Sequence, residues 1–427
     1  MPPIQDHPLR YKLANELHAR PFPAMQAPCV AAYVAIKQPG EAARRDREDD
    51  RAHLIALLDR YGAAHPQPGA THYYGQIGRH WLKWEQHTEF VTYTAITDSL
   101  PEKAFEASEF DVFPGEWLAN APGQRVTSAL LRIEKEQGED AIEACLNDWF
   151  VPESLAVASV LDDAAVMAGD YRIDASGHLR FAIFASAKAG TRRLGRILQR
   201  LCEVETYKSM SMLGFARVRA MSPQLADLDE RLTGLMSQMT GNGDSADRTL
   251  SQLLAISAEL EEISAKSSFR FGATGAYEAI VNQRIAALRE ERFHGRQTFA
   301  EFMMRRYEPA MRTVKSAEAR LGQMADRSIR ASNLLRTQVD VERSAQNQAL
   351  LESMDQRSDL QLRLQRTVEG LSVVAISYYA VSLASYLLYP LQESTGLSKG
   401  MLTSLVTLPV VLLVWWAIRR LRASVEK

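Results

Sequence analysis

Two long apolar stretches near the end of the 427-residue chain, at residues 371–391 and 401–418, most constrain its fold. Neither contains an Asp, Glu, Lys or Arg residue. A helix needs about 20 apolar residues to cross a hydrocarbon layer ~30 Å thick. Lipid offers backbone polar groups no water to bond, so an uncharged stretch of this length is typical of a membrane span. The sequence therefore predicts a C-terminal transmembrane hairpin, with the lipid bilayer as its first partner.

Positive charge flanks both ends of this hairpin, in Arg357, Arg363 and Arg366 before it and in Arg419, Arg420 and Arg422 after it. Basic flanks favour the cytoplasmic side, so both termini are expected there, in a multi-pass protein of the inner membrane. The first residues, MPPIQDHPLRYKL, contain no apolar run, so no signal peptide is expected. Cys29, Cys145 and Cys202 form no CxxC motif, which is typical of a reducing compartment.

The predicted fold is an α+β cytoplasmic domain followed by a long helical, coiled-coil-like stalk and the two-helix C-terminal transmembrane hairpin. Its predicted boundaries are a mixed α/β domain at 1–190, a helical domain at 191–309, a stalk helix at 310–370, spans at 371–391 and 401–418 joined by an outer loop at 392–400, and a basic cytoplasmic tail at 419–427.

Within the first domain, runs rich in β-branched and aromatic residues predict strands at 30–36, 81–97, 156–167 and 179–185, and a helix is predicted at 139–149. In the second of these strands, polar residues alternate with the larger side chains, so they should share one face of a strand. These polar residues are Lys83, Glu85, His87 and Glu89. With His18 and Arg20 they form a candidate cytoplasmic polar cluster.

The chain becomes helical from Thr191, which can cap a segment whose apolar residues recur every three or four positions. Pro223, residues 240–244 and Gly272 are expected to break the helices. From 310 to 389 the chain has no proline, and a single helix of that length would extend ~120 Å. Such a helix should pack against copies of itself, or antiparallel against residues 250–294.

Motifs for a chemical site are scarce. Seven of the nine histidines precede residue 88, but none has the spacing of a metal site on one helix or strand face. No nucleophile elbow, nucleotide loop or paired-carboxylate signature occurs, so no catalytic residue, metal or cofactor is assigned, and an enzyme is not expected. No nucleic-acid partner is expected either. Residues 98–163 carry 15 acidic and 4 basic side chains, and this acidic region could attract cations or bind a basic stalk.

The first apolar stretch carries a stripe of hydroxyl groups. Its members recur at spacings of three, four and seven, so they share one helical face. They are Ser372, Tyr379, Ser382, Tyr386 and Tyr389. Hydroxyl groups in a membrane helix prefer a bundle interior or water over lipid. These residues are therefore candidates either for the lining of a pore or for packing between helices.

Several strings of the sequence resemble an uncharacterised bacterial family of predicted membrane-anchored proteins, which contains a domain of unknown function. The strings lie throughout the chain, at 7–11, 15–22, 82–90, 269–274 and 353–374. The resemblance implies membrane attachment and assigns no activity.

The order of segments is similar to a second family, the CorA-type magnesium transporters. Those are homopentamers in which a cytoplasmic α/β domain is followed by a very long helix, whose membrane portion lines the pore, and by a second span. They place Gly-Met-Asn at the outer end of the first span, whereas this chain has Tyr-Leu-Leu-Tyr-Pro-Leu at 386–391. The resemblance thus implies an ion channel with a different selecting element.

Two hypotheses of different classes follow. The leading one is a membrane-anchored homo-oligomer that acts as a divergent CorA-like ion channel or transporter, with cations as possible ligands. The alternative is a non-conducting, membrane-tethered scaffold or sensor that binds partners through its cytoplasmic domain. A third and weaker hypothesis is an enzyme, which requires the polar cluster to converge on one pocket.

Overall fold

The computed structural model describes residues 4–16, 22–40, 45–239, 246–388 and 398–425. The described residues group into two compact units. The first unit comprises Met1–Asn242 and Ser251–Ala331, and the second comprises Gly243–Leu250 and Ser332–Lys427. The boundary predicted at 190 falls between the strand that ends at Ala185 and the long helix that begins at Thr191, but both elements belong to the first unit.

Nine strands form the sheet of the first unit. They are β1 Cys29–Lys37, β2 His72–Ile77, β3 His80–Gln86, β4 Phe90–Thr97, β5 Gln124–Lys135, β6 Ala156–Val160, β7 Ala165–Gly169, β8 Leu179–Ala185 and β9 Glu291–Arg292. Their order is β2-β3-β4-β1-β5-β8-β7-β6-β9. Neighbours pair antiparallel except β5 and β8, which are parallel. The sheet is therefore mixed, as the α+β prediction requires.

Helices cover both faces of this sheet. The α-helices among the described residues are α1 Arg10–Glu16, α2 Arg47–Arg60, α3 Gly115–Ala119, α4 Glu139–Trp149, α5 Thr191–Gln238, α6 Ala246–Ala286, α7 Phe299–Arg306, α8 Glu308–Leu387 and α9 Lys399–Val425. One core combines Val34 of β1 with Leu57 of α2 and Leu146 of α4. The opposite core combines Tyr33 of β1 with Leu198 of α5. Alternate residues of one strand thus bury on opposite faces, as period-two geometry demands.

Beyond the sheet, α5, α6 and the first part of α8 pack as an up-down-up bundle. Helix α6 runs antiparallel to α8, with the Ser257 and Ser328 hydroxyl oxygens 2.7 Å apart and Lys315 paired to Glu278 at 2.8 Å. The sequence offered this antiparallel packing as one of two alternatives for the long helix. A hydrophobic interface between the helices supplies most of their stability, since a lone helix is marginal in water.

Two predicted strands are in fact hairpins. The segment 81–97 divides into β3 and β4, joined by a turn in which the His87 amide donates to the Phe90 carbonyl at 2.9 Å. No Gly or Pro marks that turn, so the period-two pattern continues through it and hides it. Residues 156–167, also predicted as one strand, divide into β6 and β7, because Leu161, Asp162 and Asp163 adopt positive φ angles.

Three helix predictions are also wrong. Gly190, not Thr191, is the N-cap of α5, and Thr191 is its first residue. Pro223 lies inside α5 and Gly272 inside α6, so neither breaks a helix. A helix-interior proline costs about 3 kcal/mol, which burial of a few leucine side chains at about 1.5–3 kcal/mol each offsets. Residues 240–244, the remaining predicted break, lie outside the described residues.

In the second unit, α8 continues without interruption to Leu387 and α9 follows from Lys399. Both helices are long and apolar enough to cross a membrane, with mean hydropathies of 1.5 and 2.1 over their most apolar windows. Pro409 lies inside α9. The two predicted spans are therefore helical as far as Leu387 in α8 and throughout 401–418 in α9. Residues 389–397, which include most of the predicted outer loop, lie outside the described residues, whereas Lys399 and Gly400, also predicted in that loop, belong to α9.

Candidate functional site

The polar residues predicted from the period-two pattern do gather on one face of the sheet, under α5 and α6. Lys83 pairs with Glu85 at 2.9 Å and donates to the Gln199 side-chain oxygen on α5 at 2.6 Å. Gln199 donates in turn to Glu203 at 2.8 Å, and Glu203 accepts from Arg284 of α6. A continuous polar chain therefore joins the sheet to both helices.

Glu89, the last member of the pattern, lies in the same interface and is only 2 % exposed. Arg270 of α6 donates to both of its carboxylate oxygens, one of them at 3.3 Å. The Tyr277 hydroxyl, one and a half to two turns further along α6, donates to it at 2.8 Å. Because a buried carboxylate is costly without such partners, this arrangement holds α6 firmly against the end of the sheet.

His87 lies beside these groups but outside the strand that was predicted to carry it. Its ring stacks on Phe90 with centroids 4.5 Å apart and meets the edge of Tyr207 at 6.2 Å. Lys83, Glu85 and His87 thus line one cavity, whereas Glu89 bonds to Arg270 and Tyr277. The two other members of the predicted cluster, histidine 18 and arginine 20, lie outside the described residues.

The space between these residues is small. Lys83, Glu85 and His87 line a cavity of about 20 Å³ with Tyr33 and Thr206, whose hydroxyl groups bond to each other. A cavity of that volume has room for about one water molecule. Among the described residues, the cluster therefore forms a buried polar interface and leaves no substrate-sized opening at this point.

Burial also shifts the ionisation of groups around Glu89. The pKa of Tyr277 lies well above its usual range, first because the phenol is buried and then because it donates to the Glu89 carboxylate. The pKa of Lys37 is lowered, first by burial and then by the nearby Arg270 charge. Both pKa shifts have the direction expected where burial excludes water. Tyr277 therefore keeps its proton at neutral pH and remains a hydrogen-bond donor.

Residues that sequence reasoning missed complete this cluster. Arg270 lies within the string 269–274 that carried the family resemblance, and this was the only signal that could have identified it. Tyr277, Gln199 and Glu203 lie on helices whose sequence does not reveal their contact with the sheet. Only the tertiary packing shows them.

The acidic region 98–163 has basic partners within the first unit. Glu143 accepts two hydrogen bonds from Arg296, one at 3.2 Å, and this pairing holds its pKa below the usual value. His294 contacts Glu139 at 2.8 Å, and Asp162 pairs with Arg289 at 2.6 Å. Part of the acidic surface is therefore neutralised in the same chain. Among the described residues, no group of three or more His, Cys, Asp or Glu side chains could hold a metal ion.

The hydroxyl stripe of the first apolar stretch forms the second candidate site. Ser372 is exposed, and Tyr379 and Tyr386 are 71 % and 79 % exposed. Ser382 is half-buried and borders a groove of about 460 Å³ between α8 and α9. Tyrosine 389, the outermost predicted member, lies outside the described residues.

Helix α9 covers the opposite face of α8. The buried and half-buried residues of this part of α8 are Val373, Ser377, Ala380, Val381, Ser382, Ala384, Ser385 and Leu388. At about 100° of rotation per residue, their mean direction is roughly opposite to that of Ser372, Tyr379 and Tyr386. Packing of α9 on α8 thus leaves Ser372, Tyr379 and Tyr386 exposed, although Ser382 and the edge of Tyr386 border the groove.

Comparison with known proteins places these features in a family. Neither the curated proteins nor the solved structures give a match to this chain. The family that does match is described as a protein of unknown function, DUF3422, and the match covers residues 5–425, which include both units. This confirms the resemblance to an uncharacterised family with a domain of unknown function. The chain belongs to the DUF3422 family.

Proposed function

We propose that this protein is a multi-pass protein of the inner membrane, with both termini cytoplasmic, whose copies assemble with their α8 helices around a shared axis and conduct ions. The observation that carries the proposal is the exposure of Ser372, Tyr379 and Tyr386 on the face of α8 opposite its more buried residues. The Ser372 hydroxyl donates to the Val368 carbonyl of its own helix at 2.8 Å, whereas the hydroxyl groups of Tyr379 and Tyr386 lie at the ends of long side chains, for which a shared axis offers neighbouring helices or water.

The far end of α9 supports the proposed orientation. Arg419 lies over the Trp415 ring at 5.1 Å, and Arg420 lies over the Trp416 ring at 5.2 Å. Tryptophan and arginine are enriched where a helix leaves the hydrocarbon, and basic residues mark the cytoplasmic side. These two pairs therefore favour a cytoplasmic C-terminus.

The order of elements also supports a CorA-like plan, since a sheet domain precedes a helix that runs unbroken into the first apolar segment. The plan is an analogy, because one architecture serves many functions. Without Gly-Met-Asn, selection of the ion would depend on the hydroxyl groups of Tyr379, Ser382 and Tyr386. Cations are the first candidates for transport by this analogy.

Neighbouring tyrosines provide a matched test in proteoliposomes. Tyr379 belongs to the stripe, whereas Tyr378, 69 % exposed, borders the groove with α9. We expect Tyr379→Leu to change the rate of ion flux at least several-fold, and Tyr378→Leu to leave it within twofold. Absence of flux of monovalent and divalent cations and of chloride through the wild-type protein would refute conduction.

One observation favours the alternative, a membrane-tethered scaffold. Two large exposed tyrosine rings, at 379 and 386, would fill a narrow axis and could pack the helices without a passage. A scaffold would show stable self-association and no flux. It would bind its partners through the first unit, and those partners can be captured by cross-linking in membranes.

A further inference from the structure

A long exposed portion of α8 contains many apolar side chains. Every residue from 340 to 368 is exposed, although Leu350, Met354, Leu364 and Val368 are all large and apolar. A surface helix normally covers such side chains against a core. A helix of this length with no packed face is also marginal in water. The segment therefore requires a partner that the single chain does not supply among its described residues.

Four exposed apolar side chains of this segment share one face with Leu371, whereas Leu351, Leu360 and Leu362 lie outside it. Leu350, Met354, Gln361, Leu364, Val368 and Leu371 are separated by three, four or seven residues. At about 100° per residue they fall within an arc of roughly 100° on the helix surface. We name this face the seam. Arg357 also lies on it, between Met354 and Gln361.

Most charged residues of this segment lie outside the seam. Seven charged residues occur between 350 and 371, and only Arg357 projects within the arc. The other six are Glu352, Asp355, Asp359, Arg363, Arg366 and Glu369. Helices that associate with one another carry apolar residues at the contact and charges outside it. The pattern is thus that of a helix–helix interface.

The seam is continuous with the hydroxyl stripe. Counted at about 100° per residue, Ser372, Tyr379 and Tyr386 fall within the same arc as Leu350 and Leu371. The exposed face of α8 in the first apolar stretch is therefore the same face that is exposed in residues 350–371. A single partner helix can cover this face in both segments.

We infer that the seam binds a second copy of this chain, parallel and in register, so that each seam residue meets its own counterpart. The parallel direction rests on the proposed function, because copies inserted in one membrane with the same orientation have parallel α8 helices. In this arrangement the Arg357 side chains approach one another, which makes this position the weakest layer of the contact. Its replacement by an apolar residue strengthens the assembly.

Cysteine cross-linking of the full-length chain in membrane vesicles tests the contact. Cys29 and Cys202 are buried, with pKa values raised by burial, and Cys145 is replaced by serine because it is half-buried. Leu364→Cys places a thiol on the seam, whereas Arg366→Cys, two residues away, places one on the opposite side. After mild oxidation we expect a cross-linked dimer at least tenfold more abundant for Leu364→Cys.

Three outcomes overturn the inference. Equal cross-linking at both positions would mean random collision, and absence of cross-linking at position 364 would mean that the seam is not a contact. Preferential pairing of Leu350→Cys with Leu371→Cys in co-expressed chains, without pairing of like positions, would show antiparallel helices. Carbonate extraction of the same vesicles tests membrane insertion separately, and ion flux tests conduction, so failure of the seam is distinguishable from failure of the proposed function.

Charge removal provides a second measurement. We expect Arg357→Leu to lower the concentration at which the detergent-solubilised assembly half dissociates at least tenfold, as measured by light scattering on dilution. Arg363→Leu, outside the seam, is the matched control and should leave it within twofold. Equal effects of the two substitutions, or a weaker assembly for Arg357→Leu, would contradict the seam.

Discussion

Replacement of Glu89 provides the sharpest test of the polar interface between the sheet and α6. Its side chain is 1 % exposed and that of Arg270 is 15 % exposed, so both charges are largely withdrawn from water. Removal of one member of a buried ion pair leaves the other uncompensated and typically costs about 3–5 kcal/mol. We therefore expect Glu89→Ala to lower the free energy of unfolding by about that amount, since Arg270 and Tyr277 both lose their acceptor.

A surface ion pair of the same unit is the control. Arg60 and Glu116 lie 3.2 Å apart, with side chains 47 % and 76 % exposed, so Glu116→Ala should cost less than about 1 kcal/mol. Urea unfolding of the detergent-solubilised chain, followed by tryptophan fluorescence, measures both, because Trp84 is fully buried in this unit. A loss for Glu89→Ala within 1 kcal/mol of the Glu116→Ala loss would refute the reasoning.

A double-mutant cycle separates the pair from its surroundings. If uncompensated charge causes the loss, Glu89→Leu combined with Arg270→Met should be more stable than Glu89→Leu alone, because no unpaired guanidinium remains. Tyr277→Phe removes one hydrogen bond to a charged acceptor and should cost about 1.5–3 kcal/mol. A double variant that is less stable than both single variants would assign the effect to side-chain packing instead.

Two further predictions concern the same unit. A Cβ atom at Gly214 would overlap the Thr274 hydroxyl oxygen, whereas the space around Gly234 in the same helix is open. Gly214→Ala should therefore lower the free energy of unfolding by about 1–3 kcal/mol, and Gly234→Ala should raise it by up to about 1 kcal/mol. Urea unfolding measures both changes. Burial lowers the pKa of His53, whose second ring nitrogen lies 3.0 Å from the Trp117 carbonyl oxygen. The unfolded state therefore takes up a proton first as the pH falls below about 6.5, and stability is lost by up to about 1.4 kcal/mol per pH unit. The stability difference between wild type and His53→Gln should shrink between pH 7 and pH 5, and a constant difference would contradict this.

The local hydrophobic pattern predicted secondary structure correctly where it favours only one kind of element. Strand 30–36, a short continuous apolar run typical of a buried strand, corresponds to β1. Helix 139–149, whose apolar residues recur at spacings of three and four, corresponds to α4. The predictions at 81–97 and at Pro223 were wrong because the turn at His87 lacks a Gly or Pro signal and packing of α5 outweighs the cost of its proline. Local preference and tertiary packing disagree at both points, and packing decides.

The candidate sites also depend partly on local sequence pattern and partly on tertiary packing. That Lys83 and Glu85 share a face of the sheet follows from sequence, since alternate residues of a strand point to the same side. Glu89 lies in the turn after β3, where this period no longer applies. Gln199, the partner of Lys83, and Arg270, the partner of Glu89, are more than 100 residues away, and no period of the sequence relates such distant positions.

By itself, the sequence determined the two apolar helices, the mixed sheet domain before them and the length of α8, because hydrophobicity and residue period act locally along the chain. Tertiary structure alone decided that the polar cluster is closed beneath α5 and α6. It also decided which face of α8 lies under α9 and which remains open. Those properties depend on contacts between residues far apart in sequence, whose free energy appears only when the helices pack.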